Sequence, residues 1–88
     1  MDAKQTEKIL KALANKRRLA IVKHLHKMRK TSVTAIAKEI KLSFKATSRH
    51  LSVLRSADLV EKEQVNLMML YSLQQPLDPI LKTILTLL

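Results

Sequence analysis

Two amphipathic segments joined only by Lys41-Leu42 constrain this chain more than any other feature. In Val33–Ile40 the residues Val33, Ile36, Ala37 and Ile40 recur at helical spacing. In the longer segment, capped by Ser43 and ending near Ala57, one face carries Thr47, Leu51, Leu54 and Ala57. The other carries Lys45, Ser48, Arg49, Ser52, Arg55 and Ser56. A short helix, a tight turn and a longer helix make helix-turn-helix spacing. The second helix of such a pair must be apolar behind and able to reach base edges in front. Period 3.6 delivers both faces from one segment.

The front face has the chemistry for that task. Lys45, Ser48, Arg49 and Ser52 stand at i, i+3, i+4 and i+7. An arginine can pair in bidentate fashion with guanine O6 and N7, so Arg49 is the candidate base reader. Ser48 can donate to or accept from base edges or phosphates. Lys45 adds its charge to the positive end of the helix dipole. A lone basic helix would be read as an ordinary solvated face; the neighbouring elements argue against that here.

Upstream, Ala3–Ala14 reads as a helix with Thr6, Ile9, Leu10 and Leu13 on one stripe. Asn15 has the side chain of an N-cap for a second helix, Lys16 to about Met28. Leu19, Val22 and Leu25 form that helix's main stripe, and Ile21 with Met28 a second apolar edge. Arg29–Ser32 is a polar break, from which Ser32 caps the short helix. Downstream, alternation replaces the helical period. Residues 59–64 and 67–73 are strand-like, with Leu67, Met69, Tyr71 and Leu73 on one side and Val65-Asn66 as the hairpin tip. Pro76–Leu88 reads as a last helix with Ile80, Leu81, Ile84, Leu85 and Leu88 on one broad face. With no glycine in the chain, turns that need positive φ fall to Asn66, Asp58 or Lys41; lysine tolerates that region poorly.

The chain's formal charge is +10, and ten of its 17 Lys and Arg residues lie within residues 1–30. Such a field implies a polyanionic partner, nucleic acid before anionic membrane. The 88 residues suit one domain. A chain this short buries only about 60–65% of its unfolded surface, so dimerisation would be a natural supplement. The chain has no cysteine, which removes disulfides and thiolate metal sites. Without a signal-like start or a membrane-length apolar run, a soluble cytoplasmic protein is expected. His24 and His26 do not share a helix face and lack neighbours suited to a tetrahedral site. His50, beside Leu51, is expected to pack. Met68-Met69 suits core or dimer packing better than a soft ion. No acid–His–nucleophile set and no phosphate-cradling glycine loop occurs, so no enzyme, metal site or cofactor is expected.

The residues at this point resemble the ArsR/SmtB-type winged-helix repressors. Residues 10–25, with Arg18-Leu19, look like that family's entry into its second helix. Residues 32–63 look like its helix-turn-helix running into the first wing strand, and Ser48-Arg49-His50-Leu51 followed by Val53-Leu54 is the most specific part. Tyr71-Ser72-Leu73 matches the close of the second wing strand. The resemblance spans roughly residues 9–73. It implies a mainly α fold with a small β-hairpin, in the order α-α-α-α-β-β-α, and a homodimeric repressor on double-stranded DNA. It also implies dimerisation through residues 3–14 and 76–88, with positions 44, 45, 48 and 49 in the major groove. The candidate DNA-binding residues are therefore Ser43, Phe44, Lys45, Ser48, Arg49, Ser52 and Arg55. The candidate dimer residues are Ile9, Leu13, Ile80, Leu81, Ile84, Leu85 and Leu88, because a helix apolar over so much of its circumference cannot hide against one small domain.

The chain also departs from that pattern. Metal-sensing relatives use cysteines on the third helix or Asp, His and Glu on the last; here the last helix offers only Asp78. The wing has Asn66 at its tip, then Leu67-Met68, with Glu61 and Glu63 on its first strand, so it should hold phosphate weakly. Phe44 stands where a polar residue is usual. Two roles are open to it: packing against a thymine methyl, or covering core. Asp58 and Lys41 stand where glycine is common, which implies local strain. The apolar wing and last helix also suit a different function, an interaction module that docks protein or membrane.

Overall fold

The computed structural model describes residues 2–88. The elements run α1 (Ala3–Leu13), α2 (Lys16–Met28), β1 (Lys30–Ser32), α3 (Val33–Ile40), α4 (Phe44–Ser56), β2 (Val60–Val65), β3 (Met68–Leu73) and α5 (Pro79–Leu85). Each helix starts where a short polar side chain can accept from its free N–H groups. Asp2 caps α1, Asn15 accepts from Arg17 and Arg18, Ser32 from Ala35, Ser43 from Ala46, and Asp78 from Ile80 and Leu81.

α3 and α4 each end on a left-handed residue. Lys41 has φ 56° and Asp58 φ 58°. The next N–H reaches back to close the last turn: Leu42 N donates to the Ala37 carbonyl and Leu59 N to that of Leu54, both at 3.0 Å. This is the Schellman pattern, in which an apolar residue following the left-handed one packs back onto the helix. Leu59 is buried and Leu42 packs against the core.

The core draws on every helix. Ile9 and Leu13 of α1, Ile21, Val22 and Leu25 of α2, Val33, Ile36 and Ile40 of α3, and Leu51 and Leu54 of α4 converge. Leu59, Val60, Tyr71, Leu73 and Leu81 complete it. The fold is the winged helix-turn-helix expected from the family resemblance.

The structure corrects that reading in several places. The polar break contains a strand, β1, so the sheet has three antiparallel strands in the order β1-β3-β2, with Thr31 opposite Tyr71. The hairpin turns one residue later than expected. Val65 pairs with Met68, leaving Asn66-Leu67 as the tip, and Leu67 is 98% exposed instead of sharing a packed side with Tyr71 and Leu73. Leu10 and Met28 face outward, and Ala12 takes the core position on α1. The last helix begins at Pro79 and ends at Leu85; Pro76 lies before it. A proline at the first helical position after an aspartate cap is the stronger start signal. Ile9, Leu13 and Leu81, expected at a dimer surface, are buried by the chain's own core. Leu88 is exposed, while Ile80, Ile84 and Leu85 are half-buried against the core.

Candidate nucleic-acid interface

α4 is amphipathic as its sequence required. Thr47, Leu51 and Leu54 are buried on its inner side. A buried hydroxyl must be hydrogen-bonded; Thr47 Oγ1 donates to the Ser43 carbonyl at 2.8 Å. Phe44, Lys45 and Arg49 are exposed, and Ser48 is half-buried beside them. The first turn of α4 carries no acidic side chain. Its free N–H groups and dipole therefore add to the lysine and arginine charge, the condition for attracting an anion to a helix N-terminus.

The seven candidate DNA-binding residues fall into two groups. Ser43, Phe44, Lys45, Ser48 and Arg49 occupy the N-terminal half of α4 and its cap. Ser52 and Arg55, a turn or more further on, line a cleft with Asp58, Glu61 and Lys62 at the base of the wing. Acidic neighbours there dilute the field that Arg55 would present to a phosphate. Phe44 is 60% exposed, so it does not cover core.

Two residues that position this face were not among the candidates. Arg18 Nη1 lies 3.2 Å from His50 Nδ1 on α4, and the same guanidinium donates to the carbonyls of Ala12 and Lys11 near the end of α1. Arg17 Nη1 donates to the Ile40 carbonyl at 3.1 Å, at the end of α3. The paired arginines thus tie α2 to α1, α3 and α4. The signal for them was an N-cap asparagine followed by Lys-Arg-Arg, but their partners lie up to 32 residues away in sequence. Burial, and then the charges of Arg18, Arg17 and Arg49, hold the His50 imidazole below its ordinary pKa.

The wing carries little cationic charge. Glu63 pairs with Lys30 of β1 at 2.9 Å. Glu61 and Lys62 are exposed along β2, and Val65, Leu67 and Met68 are exposed around the tip. Among the described residues no three His, Asp or Glu side chains gather as a metal site would require. No helix among them is long and apolar enough to cross a membrane.

The family model described as bacterial regulatory protein, arsR family, matches residues 15–62. No curated protein matches the chain. Solved structures do. The transcriptional regulator HlyU from Vibrio vulnificus is 32% identical with a TM-score of 0.79, over 97% of this chain and 84% of that one. The transcriptional repressor PagR of Bacillus anthracis is 28% identical with a TM-score of 0.80, over 96% and 92% of the two chains. The homodimeric winged helix-turn-helix DNA-binding domain Mb0332 from Mycobacterium bovis is 28% identical with a TM-score of 0.79, over 96% and 71%. HlyU is described as a transcriptional regulator, PagR as a transcriptional repressor and Mb0332 as a possible ArsR-family transcriptional regulator. The match spans the paired arginines, the short helix, all of α4 and the start of the first wing strand, and the chain belongs to the arsR family of bacterial regulatory proteins.

Proposed function

We propose that this regulator binds double-stranded DNA by sequence and acts as a homodimeric repressor on an inverted-repeat operator. The observation that carries this reading is the front of α4, where Lys45, Ser48 and Arg49 stand exposed or half-exposed over a fully buried back of Thr47, Leu51 and Leu54. That helix is fixed from behind by Arg18 through His50, so the reading face is held rigid before DNA arrives. Rigid placement matters, because base-edge hydrogen bonds discriminate only when their donors are already aimed.

In this reading Arg49 reads a guanine, Lys45 and the N-terminus of α4 neutralise phosphate, and Ser48 bonds to a base edge or phosphate. A twofold dimer would set two such helices about 34 Å apart, one turn of DNA, and so match an inverted repeat. Repression would follow from occupying a site that polymerase needs. PagR is described as a repressor and Mb0332 as a homodimeric DNA-binding domain, which supports both parts.

The test is selection of bound fragments from random duplex DNA, followed by affinity measurements at increasing salt. The reading expects a two-fold symmetric consensus and affinity that falls steeply with salt. Enrichment of no sequence, with salt-insensitive binding, would instead favour an interaction module that docks protein or membrane.

A further inference from the structure

Much of the exposed apolar surface gathers at one place. Phe44 at the head of α4 is 60% exposed, and Leu67 and Met68 at the hairpin tip are 98% and 54% exposed. With Met69, Val33 and Thr34 they line a single open groove between the start of α3, the start of α4 and the wing. Phe44 and Leu67 lie outside the hydrophobic core, so folding does not account for their apolar character. A clustered, exposed apolar surface marks a contact site.

The charge beside this groove narrows the choice of occupant. Lys45 and Arg49 are exposed on the same helix as Phe44, outside the groove's lining, which favours an occupant that is anionic around an apolar centre. Phe44, the first residue of α4, is where the groove meets that helix. In the major groove of a duplex, the apolar group on the base edges is the thymine 5-methyl, and phosphates flank it. Cytosine at the same place has only hydrogen on C5, so the apolar groove would lose the methyl it packs against.

We propose that Phe44 and the wing tip form a thymine-methyl pocket that fixes one position of each operator half-site. The proposal rests on the DNA-binding reading above and adds the base that the apolar head of α4 selects. It also gives the wing a role that needs no arginine, since Leu67 and Met68 close the pocket by apolar contact.

The test uses the duplex that the wild-type chain selects from a random pool, with each thymine replaced in turn by deoxyuridine. That change keeps every hydrogen-bonding group and removes only the methyl. At one position per half-site, affinity is expected to fall about fourfold, as loss of one methyl-sized apolar contact gives. Phe44→Ala should abolish the difference between thymine and uracil, Phe44→Leu should keep part of it, and Leu67→Ala should reduce it. Lys45→Ala should weaken both duplexes and leave their ratio unchanged. If no thymine is sensitive, or if Phe44→Ala discriminates as well as wild type, the pocket is wrong. An unchanged ratio in Leu67→Ala overturns the wing's part in it. If Phe44→Ala leaves every DNA affinity unchanged, the groove does not contact DNA and the pocket is wrong. A wild-type chain that selects no duplex fails earlier, at DNA binding itself.

Discussion

A guanidinium has only donors, so the Arg18–His50 contact requires Nδ1 of His50 to accept and its proton to sit on Nε2. Protonating His50 would place two donors face to face, with Arg17 and Arg49 adding further positive charge. Burial first, and then these charges, hold the imidazole below its ordinary pKa of 6.5 in the folded state, and the unfolded chain binds that proton more readily. Stability from this site is fully present above the unfolded value and is lost as pH falls below it toward the folded value. Comparing urea midpoints of wild type and His50→Gln from pH 8 to pH 5 checks this. The gap between the two proteins should shrink as pH falls through that window, and a gap independent of pH would dismiss the neutral-acceptor role. On the same helix, Arg49→Ala is expected to weaken specific binding by about 1–3 kcal/mol and to relax the preference at one base per half-site. Lys45→Ala should weaken all sequences more evenly. Equal losses on selected and random duplexes for Arg49→Ala would remove it from base reading.

At the scale of elements, the legible parts were those with both a period and a cap. α3 and α4 announced themselves through apolar spacing and through Ser32 and Ser43, and α2 through Asn15. β1 did not, because Lys30–Ser32 has no apolar alternation and becomes a strand only by pairing with β3. The tip shifted by one residue because Val65 is a strand former whose partner, Met68, lies across a two-residue turn. Lys45, Ser48 and Arg49 could be read as a face from spacing alone, whereas Phe44 joined them only through the family resemblance. The Arg18–His50 tie could not, since it depends on how α2 lies against α4. Backbone strain was partly legible too. Lys41 and Asp58 were anticipated, but Arg29, at φ 72° and ψ −61°, was not. That combination is the strained γ-turn region, which glycine enters without penalty. Arg29→Gly is expected to stabilise the fold by about 1 kcal/mol, readable as a higher urea midpoint with an unchanged slope. A lower midpoint would mean that the arginine side chain contributes more than its backbone costs. The wing offers a separate check. Deleting residues 65–67 and closing the hairpin should change the salt slope of DNA binding little, because each phosphate contact contributes about 0.9 to it. A fall of two units or more would reveal a wing that grips phosphate.

At the scale of the whole molecule, the chain's own core decides which apolar residues remain for a second copy. Ile9, Leu13 and Leu81 are already used. Leu10 on α1 stays exposed in a mainly apolar depression with Ala3, Thr6 and Ala14, flanked by Glu7 and Lys11. Beyond α5, Leu87 and Leu88 are exposed, and Ile84 is only half-buried. Left in water, these surfaces would favour association, and a twofold arrangement would cover them while bringing two α4 faces onto one side of a duplex. A homodimer at micromolar concentration is therefore expected, with Leu10→Glu as the disrupting change. Leu10 lies outside the monomer core, so a carboxylate there should leave the fold intact and act only where a partner would bury it. Ile84→Glu should also break the dimer, but it burdens the core that Ile84 packs against. Lys82→Glu, an exposed change on the same helix as Ile84, is the control for charge alone. Once two half-sites no longer bind as a unit, operator affinity should fall far more for Leu10→Glu than for Lys82→Glu. Sedimentation of each variant, with circular dichroism to show that it is folded, decides the matter. A wild-type monomer that still binds an inverted repeat tightly as one unit would sink this assembly. So would a Leu10→Glu chain that sediments as a dimer with full operator affinity, because the partner surface would then have to lie somewhere other than α1.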